Sequence, residues 1–303
     1  MRRLFMKHKV RRIISLASVL AVGACALGMF AGCTTNHPEV TITYSFNGKD
    51  YSVSYTLSRN DAPKTVQHFI ELADAGYYDG MCIHNYTSSA MYSGGYKLVD
   101  GELEEVDYFS AVKKLEEEQN ITFTQSVWTA DENKTPLYTV YGEFYENGVD
   151  NEYSRENTHS AGALVMYYTG KDKFNGDVTV ERADGGKNND GNATQNVRYK
   201  LNSATSLFYT YRSTSNTQLD RSFCVFGMAD ADDYQNELVD GLFAAIEEYE
   251  KTLSEGTTFT TEQSHKINTF EPFEEVRTSG AEETFQVPVD MPIIVKSVVV
   301  DKY

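Results

Sequence analysis

Few side chains in this chain of 303 residues have the types needed for acid–base, nucleophilic or metal chemistry, and their spacing argues against most of it. His84 closes the apolar run that starts at Met81, where a histidine serves as a hydrogen-bonded core residue rather than as a ligand. His159 precedes another apolar run and has no second ligand at metal spacing. Cys82 and Cys224 lie in M-C-I-H and S-F-C-V-F-G, so they read as packed thiols and not as a disulfide scaffold or a metal pair. The run Asp184 to Gly191 offers oxygen ligands that calcium accepts, yet their order misses the EF-hand pattern, and the run reads as a flexible surface loop. Glu116, Glu117 and Glu118 follow the apolar Leu115 as the solvated face of a helix, not as a general acid and base. The 21 tyrosines and 16 phenylalanines could stack on peptide or carbohydrate, but aromatic residues are favoured in strands and packing is their expected use. No metal and no cofactor are expected.

The surrounding sequence alternates like a mainly β protein. Val40 to Tyr44 and Tyr51 to Leu57 alternate around Asn47-Gly48, the signature of a tight antiparallel hairpin. Asp61 is placed to cap a helix, Pro63 suits its first turn, and Val66, Phe69, Ile70 and Ala73 recur at helical spacing until Gly76 stops it. Tyr77 to His84 reads as a turn at Asp79-Gly80 followed by a strand, and Ala90 to Gly95 as a second strand ending in two permissive glycines. Glu104 to Glu118, with Phe109, Val112 and Leu115 on one face, reads as a helix. Leu238, Val239, Leu242, Phe243, Ile246 and Tyr249 mark another, and Ile293 to Val300 closes the chain as a strand.

The amino terminus reads as a bacterial secretory leader. Six Arg and Lys residues precede the apolar run Ile13 to Ala31, and small residues then meet a cysteine at Ala31-Gly32-Cys33. That pattern resembles a lipobox, with residues 1–32 removed as a signal peptide, Cys33 lipidated and 33–38 left as a tether. Cys25 is a rival site, and an uncleaved anchor helix is the alternative. Without the leader, 21 Lys and Arg face 44 Asp and Glu, a formal net charge of −23, which repels nucleic acid and anionic lipid. The expected location is extracytoplasmic, lipid-anchored to the bacterial cell membrane.

The run from Ala62 to Tyr96 resembles the cyclophilin family of peptidyl-prolyl isomerases, which shares A-P-K-T-V and G-Y-Y-D-G before strands carrying F-H-R and F-M-x-Q-G-G. Four further blocks follow in the family's order: Gly142-Glu143-Phe144 with Asn147-Gly148, Gly162 to Met166, Ser203 to Tyr209, and Leu219-Asp220 with Phe226-Gly227. The resemblance implies a closed antiparallel eight-stranded barrel with two capping helices over residues 39–303. It is interrupted by insertions near 97–140, 169–202 and 254–286.

Carried over residue by residue, the family's site is altered. Its arginine position is Asn85, the one candidate catalytic position. The expected peptide-binding residues are Ala90 for a phenylalanine, the retained Met91, Ser93 for a glutamine, Tyr167 and Tyr168 for an Ala-Asn pair, and Leu207 for the second glutamine. Tyr209 for a phenylalanine, the retained Leu219 and Phe223 for a histidine complete the set, and Gln218 stands where some members have tryptophan. The resemblance thus implies prolyl isomerase chemistry on extended or proline-containing segments of exported proteins, weakened by loss of the arginine. The alternatives are a non-catalytic peptide-binding module and a partner-docking surface carried by the insertions.

Overall fold

The computed structural model describes residues 35–149, 157–167, 177–182, 186–198, 203–266 and 282–303. The leader, Cys33 and Tyr168 lie outside the described residues. In chain order the first half holds β1 (Glu39–Phe46), β2 (Lys49–Leu57), α1 (Pro63–Asp74), β3 (Met81–Cys82), β4 (Asn85–Tyr86), β5 (Ala90–Ser93), β6 (Tyr96–Val99), β7 (Glu102–Glu105), α2 (Tyr108–Gln119), β8 (Val127–Thr129) and β9 (Val140–Tyr141). The second half holds β10 (Ala163–Met166), β11 (Asp177–Glu181), β12 (Thr194–Arg198), β13 (Ser203–Ala204), β14 (Phe208–Tyr211) and β15 (Cys224–Ala229). Then come α3, β16 (Thr261–Lys266), β17 (Glu282–Val287) and β18 (Ile294–Lys302). Helix α3 runs from Ala231–Asp233 through a π-helical stretch, Tyr234–Phe243, into Ala244–Glu250.

The β1–β2 hairpin turns as its sequence demands, with Asn47 at φ 49° and Gly48 at φ 74°. Helix α1 buries Val66, Phe69, Ile70 and Ala73. It ends in a Schellman motif, in which Gly76, at φ 72°, and Tyr77 donate to the carbonyls of Ala73 and Leu72, 2.9 Å each. The expected cap is corrected. Asp61 Oδ2 instead accepts from Ser58 Oγ at 2.7 Å and Asn157 Nδ2 at 2.6 Å, leaving Ala62 at the N-cap without a side-chain bond. The buried Glu143 carboxylate arrives from far along the chain and accepts from the backbone N of Lys64 at 3.2 Å and Thr65 at 2.8 Å.

The main sheet has nine strands in the order β3-β18-β1-β2-β15-β10-β14-β5-β4, every neighbour antiparallel. It is therefore an open nine-stranded sheet and not the closed eight-stranded barrel expected. The cause is local, because the strand that would close the barrel is divided. Met81–Cys82 pairs with β18 and Asn85–Tyr86 with β5, each over only two residues. The sheet's two edges are thus successive pieces of one backbone, joined through Ile83 and His84, whose N–H groups bond to Ile293 and Tyr92. On the inner face Phe69 packs against Tyr78, Phe208 and Phe226 at ring-centroid distances of 5.1, 5.5 and 5.0 Å. The hydroxyls of Tyr44 and Tyr55 both meet Thr210 Oγ1, at 3.2 and 3.1 Å.

The first insertion opens with the β6–β7 hairpin, turning at Asp100 (φ 51°) and Gly101 (φ 86°). Glu104 and Glu105 are consumed by that hairpin, so the helix expected from Glu104 begins instead at Tyr108. Asp107 caps it, accepting from Ser110 N at 3.2 Å. Strand β8 of this insertion pairs with β11 of the second, and β11 with β12, over a small core of Val127, Leu137, Val178 and Val180. The acidic Asp184–Gly191 run falls in the connection between β11 and β12, and residues 183–185 lie outside the described residues. The third insertion supplies the β16–β17 hairpin. Among the described residues no helix is long and apolar enough to cross a membrane.

Candidate functional site

Strands β5 and β14 lie side by side with Tyr92 opposite Tyr209 and Ala90 opposite Tyr211, and β10 flanks β14 with Val165 opposite Tyr209. Side chains alternate across a strand, so these residues share one face, turned away from α1 and the inner core. There Ala90, Ala163, Val165, Tyr209, Tyr211 and Val225 form one apolar cluster, against which Tyr92, Tyr167, Leu219, Phe223 and Met228 pack. The Tyr92 ring stands 4.9 Å from Tyr209 and 5.4 Å from Tyr167, and Phe223 stands 6.1 Å from Tyr209. Ala90, Tyr167, Tyr209, Leu219 and Phe223 are therefore brought together. Tyr92 joins them although the sequence reading passed over it; its alternation with Ala90 was the available signal.

Met91, Ser93 and Leu207 sit differently. Met91 is opposite Thr210, on the face that carries the Tyr44 and Tyr55 hydroxyls. The buried Ser93 donates through its hydroxyl to the Cys82 carbonyl at 2.9 Å. Leu207 is buried, and its carbonyl accepts from Tyr167 N at 2.9 Å.

Asn85 lies opposite Tyr92 at the edge of the sheet. Its Oδ1 accepts a hydrogen bond of 3.0 Å from the backbone N of Gln286 in β17. The same strand reaches a second expected site position, since the Tyr167 hydroxyl donates to the Glu283 carboxylate at 3.0 to 3.1 Å from either oxygen. Between these contacts the buried Phe285 packs on His84 and Tyr96 at 5.1 and 5.5 Å. Two of the chain's guanidinium groups are held by other aromatics. Arg212 lies over Tyr86 and Phe243 at 4.5 and 4.1 Å and donates to the Thr87 carbonyl at 3.3 Å, and Arg221 lies over Tyr145 at 4.2 Å.

His159, which stood alone in the sequence, is fully buried beneath the cluster. Its Nδ1 is 2.6 Å from Asp220 Oδ1 and its Nε2 is 2.9 Å from the Tyr209 hydroxyl. A carboxylate oxygen accepts, so Nδ1 donates to Asp220, and Nε2 is paired with the Tyr209 hydroxyl. Tyr209 is thereby held from below, and its hydroxyl is the sequence feature that calls for a buried partner.

His84, Cys82 and Cys224 are buried. Burial, with His265 nearby as a smaller cause, holds His84 down to about 3, so it is neutral, and its Nδ1 has no hydrogen-bond partner among the described residues. It is a core histidine that is not fully satisfied. Burial pushes the Cys82 thiol up to about 12 and raises Cys224 as well, so neither is a ready nucleophile. Among the described residues no group of three or more His, Cys, Asp or Glu side chains is placed to hold a metal. The outer face thus offers aromatic surface, with the Asn85 amide and the Glu283 carboxylate as hydrogen-bonding groups at its edge.

Two solved structures similar to the chain are of a Cryptosporidium parvum cyclophilin type peptidyl-prolyl cis-trans isomerase. One is 15% identical with a TM-score of 0.39, and the other, determined in the presence of the dipeptide Ala-Pro, is 14% identical with a TM-score of 0.38. Each comparison covers 88% of this chain and 99% of the other. No curated protein matches the chain. Residues 41–232, more than half of the sequence, match the family described as cyclophilin type peptidyl-prolyl cis-trans isomerase/CLD, and the chain belongs to that family.

Proposed function

We propose that this protein, held outside the cytoplasm by a lipid on Cys33, binds extended or proline-containing segments of exported proteins on the Tyr92–Tyr167–Tyr209–Phe223 face and isomerises them only weakly. The observation that carries the reading is Asn85 at the family's arginine position, short, uncharged and already bonded to Gln286. Rotating a prolyl amide means crossing a barrier of roughly 18 to 20 kcal/mol, and a catalyst must bind the twisted form better than the planar ones. A charged donor contributes roughly 1.5 to 3 kcal/mol against about 0.5 to 1.5 for a neutral one. Each ~1.4 kcal/mol is tenfold in rate, so turnover falls about ten- to a hundredfold below that of an intact site. The aromatic cluster, by contrast, is present and packed, which supports retained binding.

Titrating the protein with an Ala-Pro-containing peptide tests the binding half. Measurable affinity that is lost in Tyr209→Ala supports the reading, and no affinity in the parent chain sinks it. Radiolabelled palmitate incorporated by expressing cells and lost in Cys33→Ser tests the anchor.

A further inference from the structure

Among the described residues strand β17 does not join the nine-stranded sheet and its ladder partner is β16, over Thr261–Lys266. Yet it reaches two expected site positions from one backbone. Gln286 N donates to Asn85 Oδ1, and the Glu283 carboxylate accepts from the Tyr167 hydroxyl. These two contacts are three residues apart, about 10 Å along an extended strand, so β17 runs along the line between the two positions as a bound extended peptide would. The occupant also has the chemistry of the ligand, because β17 is an extended segment that continues directly into Pro288.

We propose that β17 is a tethered occupant of this face, competing with incoming peptide for the positions of Asn85 and Tyr167; the proposal rests on the peptide-binding reading above. A tethered segment acts at an effective concentration near millimolar, so a weak ligand meets a site that is already engaged for most of the time. Its apparent affinity falls by the fraction of molecules in which the site is open. The two ends of β17 differ in what holds them. Phe285 is buried against His84, Tyr96 and the stacked ring of His265, which anchors the Gln286 end. Glu283 is only part-buried and is the latch, so it releases first and uncovers Tyr167 beside Tyr92.

Titration of the full chain with an Ala-Pro-containing peptide is compared for the parent, Glu283→Ala and Glu282→Ala. The last removes the same charge from an exposed neighbour. Loss of one hydrogen bond to a charged group predicts about ten- to a hundredfold tighter binding for Glu283→Ala and no change for Glu282→Ala. Hydrogen exchange at the amides of residues 282–287 in the parent should speed up when peptide is added. Equal affinity in the parent and Glu283→Ala, with those amides unaffected by saturating peptide, overturns the occupant while leaving the peptide-binding reading standing. Equal tightening in Glu282→Ala assigns the effect to charge and also overturns it. Absence of binding in every variant overturns both.

Discussion

Along β14, Phe208 and Thr210 turn inward while Tyr209 and Tyr211 turn outward, and the same division runs along β5 between Met91 with Ser93 and Ala90 with Tyr92. The inward face meets packing demands that fix residue type: Phe208 must fit the Phe69–Tyr78 cluster, and Thr210 must satisfy two buried phenols. The outward face meets a looser demand, to be covered by something apolar. Ala90 and Phe223 meet there, and tyrosines at 92, 167 and 209 crowd together. Residues that specify the fold and residues that perform chemistry thus alternate along the same strands. The second set can therefore be exchanged without disturbing the first, so a chain can keep the inward packing of this fold while its outer face changes.

The largest effect should come from the inner face. Thr210→Val removes the shared partner of the buried Tyr44 and Tyr55 hydroxyls, which then keep only each other. A loss of about 1 to 3 kcal/mol, seen as a lower urea midpoint, is expected, whereas a change below about 0.5 kcal/mol would show that the inner face is as tolerant as the outer.

A second, smaller effect belongs to the seam between the sheet edges. Burial depresses His84 to about 3 in the folded chain, so on acidification the unfolded chain takes up a proton that the folded one refuses. Its contribution is complete at neutral pH and is lost as pH falls from the ordinary histidine range toward the folded value, about 2 kcal/mol at pH 5. His68, lowered by burial to about 4, acts in the same direction. Urea midpoints at pH 7 and pH 5 should show the loss and His84→Leu should reduce it; an unchanged pH dependence in that variant would remove His84 from the account.

The smallest effect is expected on the outer face itself. Asn85→Arg supplies the arginine that the family resemblance expects here but sets it where β17 already lies and beside the small Ala90, so turnover should rise by less than about threefold, under 1 kcal/mol of barrier. A rise of tenfold or more would mean that the missing cation alone limits the chemistry.

Legibility in the sequence followed the same division. Local signals were sufficient for α1, the Asn47-Gly48 hairpin and the inward alternation of β1 and β2. The Asp100-Gly101 turn carried the same kind of signal and went unused, and the strand end at Glu104 and Glu105 reads as the start of a helix because acidic residues suit a helix start as well as a strand. Asp61 looked like the cap of α1, but the carboxylate that does the capping, Glu143, lies 78 residues beyond Thr65. Five outer-face residues were found through family resemblance. Their partners were not, since the contacts joining Asn85 to Gln286, Tyr167 to Glu283 and His159 to Asp220 span 201, 116 and 61 residues and leave no periodic trace. The divided closing strand was equally hidden, because Met81 to His84 reads as one short strand and nothing local in it says which neighbours each piece pairs with.

The central claim is that the outer face holds a prolyl peptide without turning it over efficiently. Exchange spectroscopy on a single Ala-Pro peptide tests it directly, since the cis and trans resonances report bound fraction and interconversion together. The account predicts saturable binding, with an exchange rate about ten- to a hundredfold below that produced by an arginine-containing cyclophilin at equal occupancy. An exchange rate equal to that of the arginine-containing enzyme would contradict it.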